Sequence, residues 1–156
     1  MGPRIPEINR IVPEIQDVAG ALLRATENGS LPPTTLSLIY LRAGQIVGNT
    51  YQATRHSAAL RKAGESEERI ATVATWWDAP HFSDAERAAL ALTEAVFQPS
   101  PQGQERVPDE LFAEVSKHYD EKALSTLIAV LGSAGFWMNV ALIQKPTSIG
   151  QAVAAA

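Results

Sequence analysis

The chain has 156 residues, 46% of them hydrophobic and 19% charged, with a formal net charge of −4 and no cysteine. That length and apolar share suit one domain with a single sizeable core, and the lack of cysteine excludes disulfides, thiolate metal ligands and thiol catalysis. Acidic and basic side chains are interspersed along the chain, which argues against nucleic acid as a partner, since that binding needs clustered Lys and Arg.

The N-terminus carries no apolar signal core, and no later run is read as the roughly 20 apolar residues of a membrane span. A cytoplasmic location without membrane contact is therefore expected.

Proline, glycine and apolar spacing then divide the chain into helices. The first is expected from Asn9 to Thr26, with Ile11, Ile15, Val18, Ala19, Leu22 and Leu23 on one stripe and Pro13 near its first turn. The second runs from Thr34 to Val47 on a broad apolar face and stops at Gly48. A third spans Asn49 to Ala63, with a polar cap at one end and Gly64 just past the other. Ser66 can cap a fourth through Trp77, and Ser83-Asp84-Ala85-Glu86 is a capping box opening a fifth to about Phe97. Gln98 to Arg106 reads as a surface loop. Pro108 opens a sixth helix to His118, and Asp120 caps a long last one from Glu121 to about Gln144. Residues 147–156 read as a tail beyond a single domain at 1–146. The fold class is all-α, a bundle of about six to seven helices.

Chemistry gathers where the second and third helices meet. Gln52 and His56 are four residues apart, one turn along the same helical face, and Asn49 starts that helix. Unpaired N–H groups at a helix start favour an anion or a developing oxyanion, and a histidine one turn along can move a proton. The same residues admit a plainer account, in which Asn49 and Gln52 form a reciprocal capping pair and His56 is an ordinary half-buried histidine. His81 reads as a surface or packing residue in a turn and His118 as a partner of its helix's C-terminal dipole; neither makes a metal-ligand spacing with His56.

The stretch Leu41-Arg42-Ala43-Gly44-Gln45-Ile46-Val47-Gly48-Asn49-Thr50-Tyr51-Gln52, then Arg55-His56 and Arg61-Lys62-Ala63-Gly64-Glu65, resembles the alkylhydroperoxidase AhpD-like, or carboxymuconolactone decarboxylase, family. Glu68-Arg69, Trp76, Ala79-Pro80, Phe82, Glu86 to Leu90, Thr93-Glu94-Ala95, Val107 to Glu110 and Asn139-Val140-Ala141 extend the match in order. The resemblance implies an AhpD-like helical bundle that assembles as a homo-oligomer (dimer, trimer or hexamer), with a cavity at the start of the third helix. The family's Cys-x-x-Cys falls on Asn49 and Gln52, and its relay glutamate falls on Ser37. Of the redox relay only His56 remains, so thiol peroxidase activity is not expected, and the residues specific to the decarboxylase branch are not matched. Glu94 matches a common family glutamate and is a candidate to orient His56, with pairing to Arg87 or another surface base as the equal alternative.

On this reading His56, Tyr51, Asn49 and Gln52 are the candidate catalytic residues, and Ser37, Tyr40, Trp76, Phe136 and Trp137 the candidate substrate-binding ones. Of the adjacent Trp76 and Trp77, at most one lines the cavity. Gly132 and Gly135 on the last helix are expected to free space for a larger, partly apolar small molecule. No cofactor and no metal are called for. Two functions remain open: a cofactor-independent acid–base enzyme acting by isomerisation, elimination, decarboxylation or cyclisation, and a non-catalytic small-molecule-binding or structural protein.

Overall fold

A computed structural model describes residues 3–146, so the expected tail at 147–156 lies outside the described residues. Their regular structure is all helical: α1 (Ile8–Ile11), α2 (Glu14–Thr26), α3 (Pro33–Val47), α4 (Thr50–Lys62), α5 (Glu67–Ala71) continued by a 3-10 turn (Thr72–Thr75), α6 (Asp84–Phe97), α7 (Asp109–Ser116) and α8 (Glu121–Gln144).

Two expected helices are broken. The first divides at Val12-Pro13, where Val12 takes φ −127° and ψ 85°. A residue before proline is pushed out of the helical region, and proline brings no N–H to carry the ladder on. The fourth tightens into 3-10 geometry after Ala71. There the Thr72 hydroxyl donates to the Glu68 carbonyl at 2.8 Å, a bond that bends helices.

α3 is the central helix. Leu38 and Leu41 enter a core with Leu60, Val73, Phe82 and Leu90, whereas Ile39 enters a second core with Leu92, Val115, Leu127 and Val130. Each such side chain contributes about 1.5–3 kcal/mol of burial, and both cores depend on the same helix. α8 is more apolar than the sequence reading allows: by length and composition it could cross a membrane. It is a core helix, with Leu127, Val130, Ala134 and Met138 buried.

α2 behaves differently. Ile11 at the end of α1 and Val18 and Leu23 of α2, expected on one stripe, are exposed; α2 borders an open cavity, which Leu23 lines, and its only buried residue is Thr26. The N-terminal segment that carries α1 and α2 is tied down on either side. At one, the Arg4 N–H donates to the Gln144 carbonyl at 2.9 Å, and the Ile5 backbone exchanges hydrogen bonds with the Gln144 amide. At the other, the Asn28 amide and the Ser30 hydroxyl reach the Thr126 hydroxyl at 2.9 and 2.8 Å.

The α3–α4 turn sets the geometry of everything near the cavity. Gly48 sits in the left-handed region at φ 71°, and the Asn49 N–H returns to the Gly44 carbonyl at 2.8 Å. The two helices approach so closely that a Cβ on Gly44 would lie 3.0 Å from the Ala53 nitrogen and 3.4 Å from the Asn49 carbonyl oxygen. Gly44→Ala is therefore expected to destabilise by about 1–3 kcal/mol despite the helix propensity it gains. Gly132→Ala, with nothing within 4 Å of the new methyl, is expected to stabilise by up to about 1 kcal/mol. Urea unfolding of the two variants checks both signs.

Candidate functional site

A cavity of about 1110 Å3 opens between α2 and the inner helices. α2 and the following loop supply Gln16, Gly20, Leu23, Glu27 and Ser30; α3 supplies Leu36, Ser37 and Tyr40; α4 supplies Gln52, Arg55 and His56; α8 supplies Ser133 and Trp137. Helical periodicity explains the sets: 52, 55 and 56 share a face of α4, as 133 and 137 share a face of α8.

His56 stands in the cavity wall. Its ring stacks on Tyr40, with centroids 4.6 Å apart and planes 14° from parallel. The Tyr40 and Ser133 hydroxyls are hydrogen bonded at 2.8 Å, which fixes the tyrosine under the imidazole. His56 Nδ1 is closed off from solvent and has no hydrogen-bond partner. Loss of solvation, helped by the positive charge of Arg55, pushes the imidazole pKa down to about 3. The ring is thus neutral at physiological pH. Burial also raises the Tyr40 pKa, opposed by the Ser133 hydrogen bond and Arg55 and reinforced by Glu27.

Gln52, Ser37, Tyr40 and Trp137 join His56 in the cavity wall; the other expected residues do not. The Asn49 side chain is used as the α4 cap, accepting from the Gln52 N–H at 3.1 Å and donating to the Met138 carbonyl at 3.3 Å. The reciprocal half of the expected capping pair does not form, because the Asn49 N–H is already taken by Gly44. Tyr51, one residue before Gln52 and so turned about 100° around the helix, faces a separate pocket of about 170 Å3 with Val140 and Gln144. Phe136 is likewise turned from Ser133 and Trp137 and packs edge-on against Trp137 at 4.9 Å. Trp76 packs on the core beside Phe82 and donates its indole N–H to Glu94 at 2.9 Å.

Glu94 does not orient His56. It pairs with buried Arg42, whose Nη2 lies 2.7 Å away, while Arg87 binds the carbonyls of Trp77, Ala79 and Phe82. Gly132 is exposed and Gly135 is near Phe97, so neither glycine makes the cavity; α2 makes it by standing off. His81 and His118 lie near Glu68 and Glu114, at 3.3 and 3.4 Å. Among the described residues no three His, Asp or Glu side chains converge as a metal site. The sequence reading missed Arg55 and the inner face of α2. Arg55 was recoverable from its spacing, three residues after Gln52 on the same face.

These features define an all-helical AhpD-like protein, and the comparisons agree. A crystal structure of an Agrobacterium tumefaciens protein of unknown function, with a suggested antioxidant-defence role as AhpD, superposes with a TM-score of 0.81 at 24% identity, over 93% of this chain and 97% of that one. The debrominase Bmp8 superposes with a TM-score of 0.73 at 19% identity, over 90% of this chain and 75% of its own. The carboxymuconolactone decarboxylase family model matches residues 13–95, and the chain belongs to that family. Among curated relatives, the uncharacterised Bacillus subtilis protein YdfG is 32% identical over 133 residues, 85% of this chain and 88% of YdfG. The uncharacterised Escherichia coli protein YnjA is 31% identical over 102 residues, 65% of this chain and 54% of YnjA.

Two outcomes follow from the site geometry. Asn49→Ala is expected to cost about 1–2 kcal/mol in stability through the lost cap and to weaken ligand binding no more than that; a loss of binding far exceeding the loss of stability would return Asn49 to the site. For His56 the folded pKa is depressed, so the contribution of the neutral ring is complete above about 6.5, the ordinary histidine value, and is lost as pH falls toward 3. NMR of labelled histidine should find His56 neutral at pH 5, and His56→Gln should flatten the decline in stability between pH 6.5 and 4.

Proposed function

We propose that this protein is a cofactor-independent enzyme acting on a small molecule held between α2 and α4, with His56 as its proton-transfer group. The observation that carries this reading is the neutral His56 imidazole, stacked on Tyr40, in the wall of a large cavity.

The protonation state orders the steps. A neutral imidazole cannot begin as a general acid; its first act is to accept a proton or to polarise a carbonyl as a neutral N–H donor. Gln52, one turn before it and also in the wall, has an amide suited to holding the developing oxyanion. The protonated ring then returns its proton. Isomerisation, elimination, decarboxylation and cyclisation all fit this sequence, and none needs an outside oxidant or reductant. Thiol peroxidase chemistry is not expected of a chain without cysteine. The relative Bmp8 was also solved as a cysteine-to-alanine variant with 2,3,4-tribromopyrrole, which supports a small ring compound as the kind of ligand this scaffold takes.

A second reading, a binding protein without turnover, draws support from Asn49, whose side chain is committed to capping. Under either reading we propose a cytoplasmic homo-oligomer; exposed Ile11, Val12, Ile128 and Ile143 are apolar surface that a second copy would cover.

The test is exchange of α-protons of a panel of aryl ketones and β-keto acids in heavy water, followed by NMR. Wild type should exchange at least one panel member, and His56→Gln should slow it about 100-fold or more with its melting temperature preserved. Equal rates in the two proteins would remove His56 from the mechanism, and binding without exchange would favour the second reading.

A further inference from the structure

The arginines of this chain are mostly committed. Arg10, Arg42, Arg61 and Arg69 are paired with Glu7, Glu94, Glu67 and the Glu65–Glu86 pair. Arg4, Arg87 and Arg106 donate to main-chain carbonyls. Arg55 lies in the cavity wall beside His56, and among the described residues no carboxylate or carbonyl is bonded to it. Its charge is nevertheless felt there, at both the Tyr40 hydroxyl and the His56 ring. Arg55, Gln52 and Trp137 also line the smaller pocket, so the guanidinium stands where the two spaces adjoin.

An unpaired guanidinium in a cavity wall is an anion receptor, because its planar fork matches an oxyanion with two parallel hydrogen bonds. The charge count limits the guest. Glu27 lines the same cavity, so Arg55 is the one cation set against one carboxylate in this lining, and the second charge of a dianion adds repulsion with no further cation to offset it. Leu23, Leu36, Tyr40 and Trp137 give the wall apolar and aromatic surface, set among polar Gln16, Ser37, Gln52 and Ser133.

We propose that Arg55 is the specificity residue of this site and that the ligand is a monocarboxylate with an aromatic or compact apolar body, its carboxylate on the guanidinium and its body against Trp137 and the Tyr40–His56 stack. This deepens the enzymatic reading, since it names the substrate class of the same cavity. It also gives Arg55 an electrical role. In the empty site the Arg55 charge helps to keep protons off His56; a carboxylate on Arg55 cancels that field and makes His56 a stronger base once substrate has arrived. The other titratable groups facing the ring are Tyr40, stacked on it, and Glu27 across the cavity.

Calorimetry with benzoate, benzamide and phenyl phosphate on the whole chain tests this. Wild type should bind benzoate about tenfold or more tighter than benzamide, the usual advantage of a charge-assisted hydrogen bond, and also tighter than phenyl phosphate. Arg55→Gln should lose that preference, Arg55→Lys should keep part of it, and both should retain the wild-type melting temperature. Benzoate should also raise the His56 pKa in wild type and not in Arg55→Gln, a change that a structural role for Arg55 would not produce. Equal binding of acid and amide, a preference that survives Arg55→Gln, tighter binding of the phosphate, or no binding of any probe at millimolar concentration would overturn the proposal. Failure here with His56-dependent proton exchange intact would leave the enzymatic reading standing. Carboxylate selectivity without any exchange would instead retain Arg55 and discard that reading.

Discussion

The close approach of α3 and α4 is the constraint on which the rest of the molecule depends. Gly44 lets the backbone of Ala53 come within contact distance, Gly48 makes the turn in the left-handed region, and Asn49 closes the new helix with its side chain. With that turn fixed, Gln52, Arg55 and His56 are delivered to one wall, and Tyr40 of the neighbouring helix falls beneath the His56 ring. α3 also carries both cores, so the residues that stabilise the fold and those that form the cavity are positioned by the same pair of helices. A small movement at this turn would disturb stability and chemistry together.

Desolvation gives the site its character. A histidine in water is half protonated near neutral pH, but this one stays neutral because its ring is stacked, enclosed and beside a cation. The protein forgoes the hydrogen bond that Nδ1 would make elsewhere. α2 makes this possible by bordering the cavity without filling it, the segment that carries it being held by Gln144 before α1 and by Thr126 after α2, with Val18 and Leu23 left exposed. Asn49 and Gln52 stand here as a cap and a wall amide, beside a neutral imidazole at the edge of the cavity.

Most of the fold could be read from the sequence because local rules agree with one another there. The capping box at Ser83 forms as written, with Glu86 reaching back, and α8 begins at Asp120 and runs to Gln144. The misreadings share a cause, competition that periodicity does not register: Val12 before Pro13 splits the first helix, and α2 keeps an amphipathic pattern although its inner face meets a cavity. At the site, the pairing of Gln52 with His56 followed from helical spacing. The positions of Tyr51, Trp76 and Phe136 did not, because a neighbour in sequence is turned about 100° away on a helix and only the packing partners decide which face meets the cavity. For Glu94 spacing left two roles open, and packing decides for a base, the buried Arg42, with the Trp76 indole beside it.

The most direct measurement of the central claim, that the cavity between α2 and α4 is the working site and His56 its centre, is a crystallographic fragment screen. The account predicts that bound fragments concentrate in the 1110 Å3 cavity within hydrogen-bonding distance of His56. Fragments confined to the Tyr51 pocket or to the outer surface, with the large cavity closed by α2 packed onto α4, would contradict it.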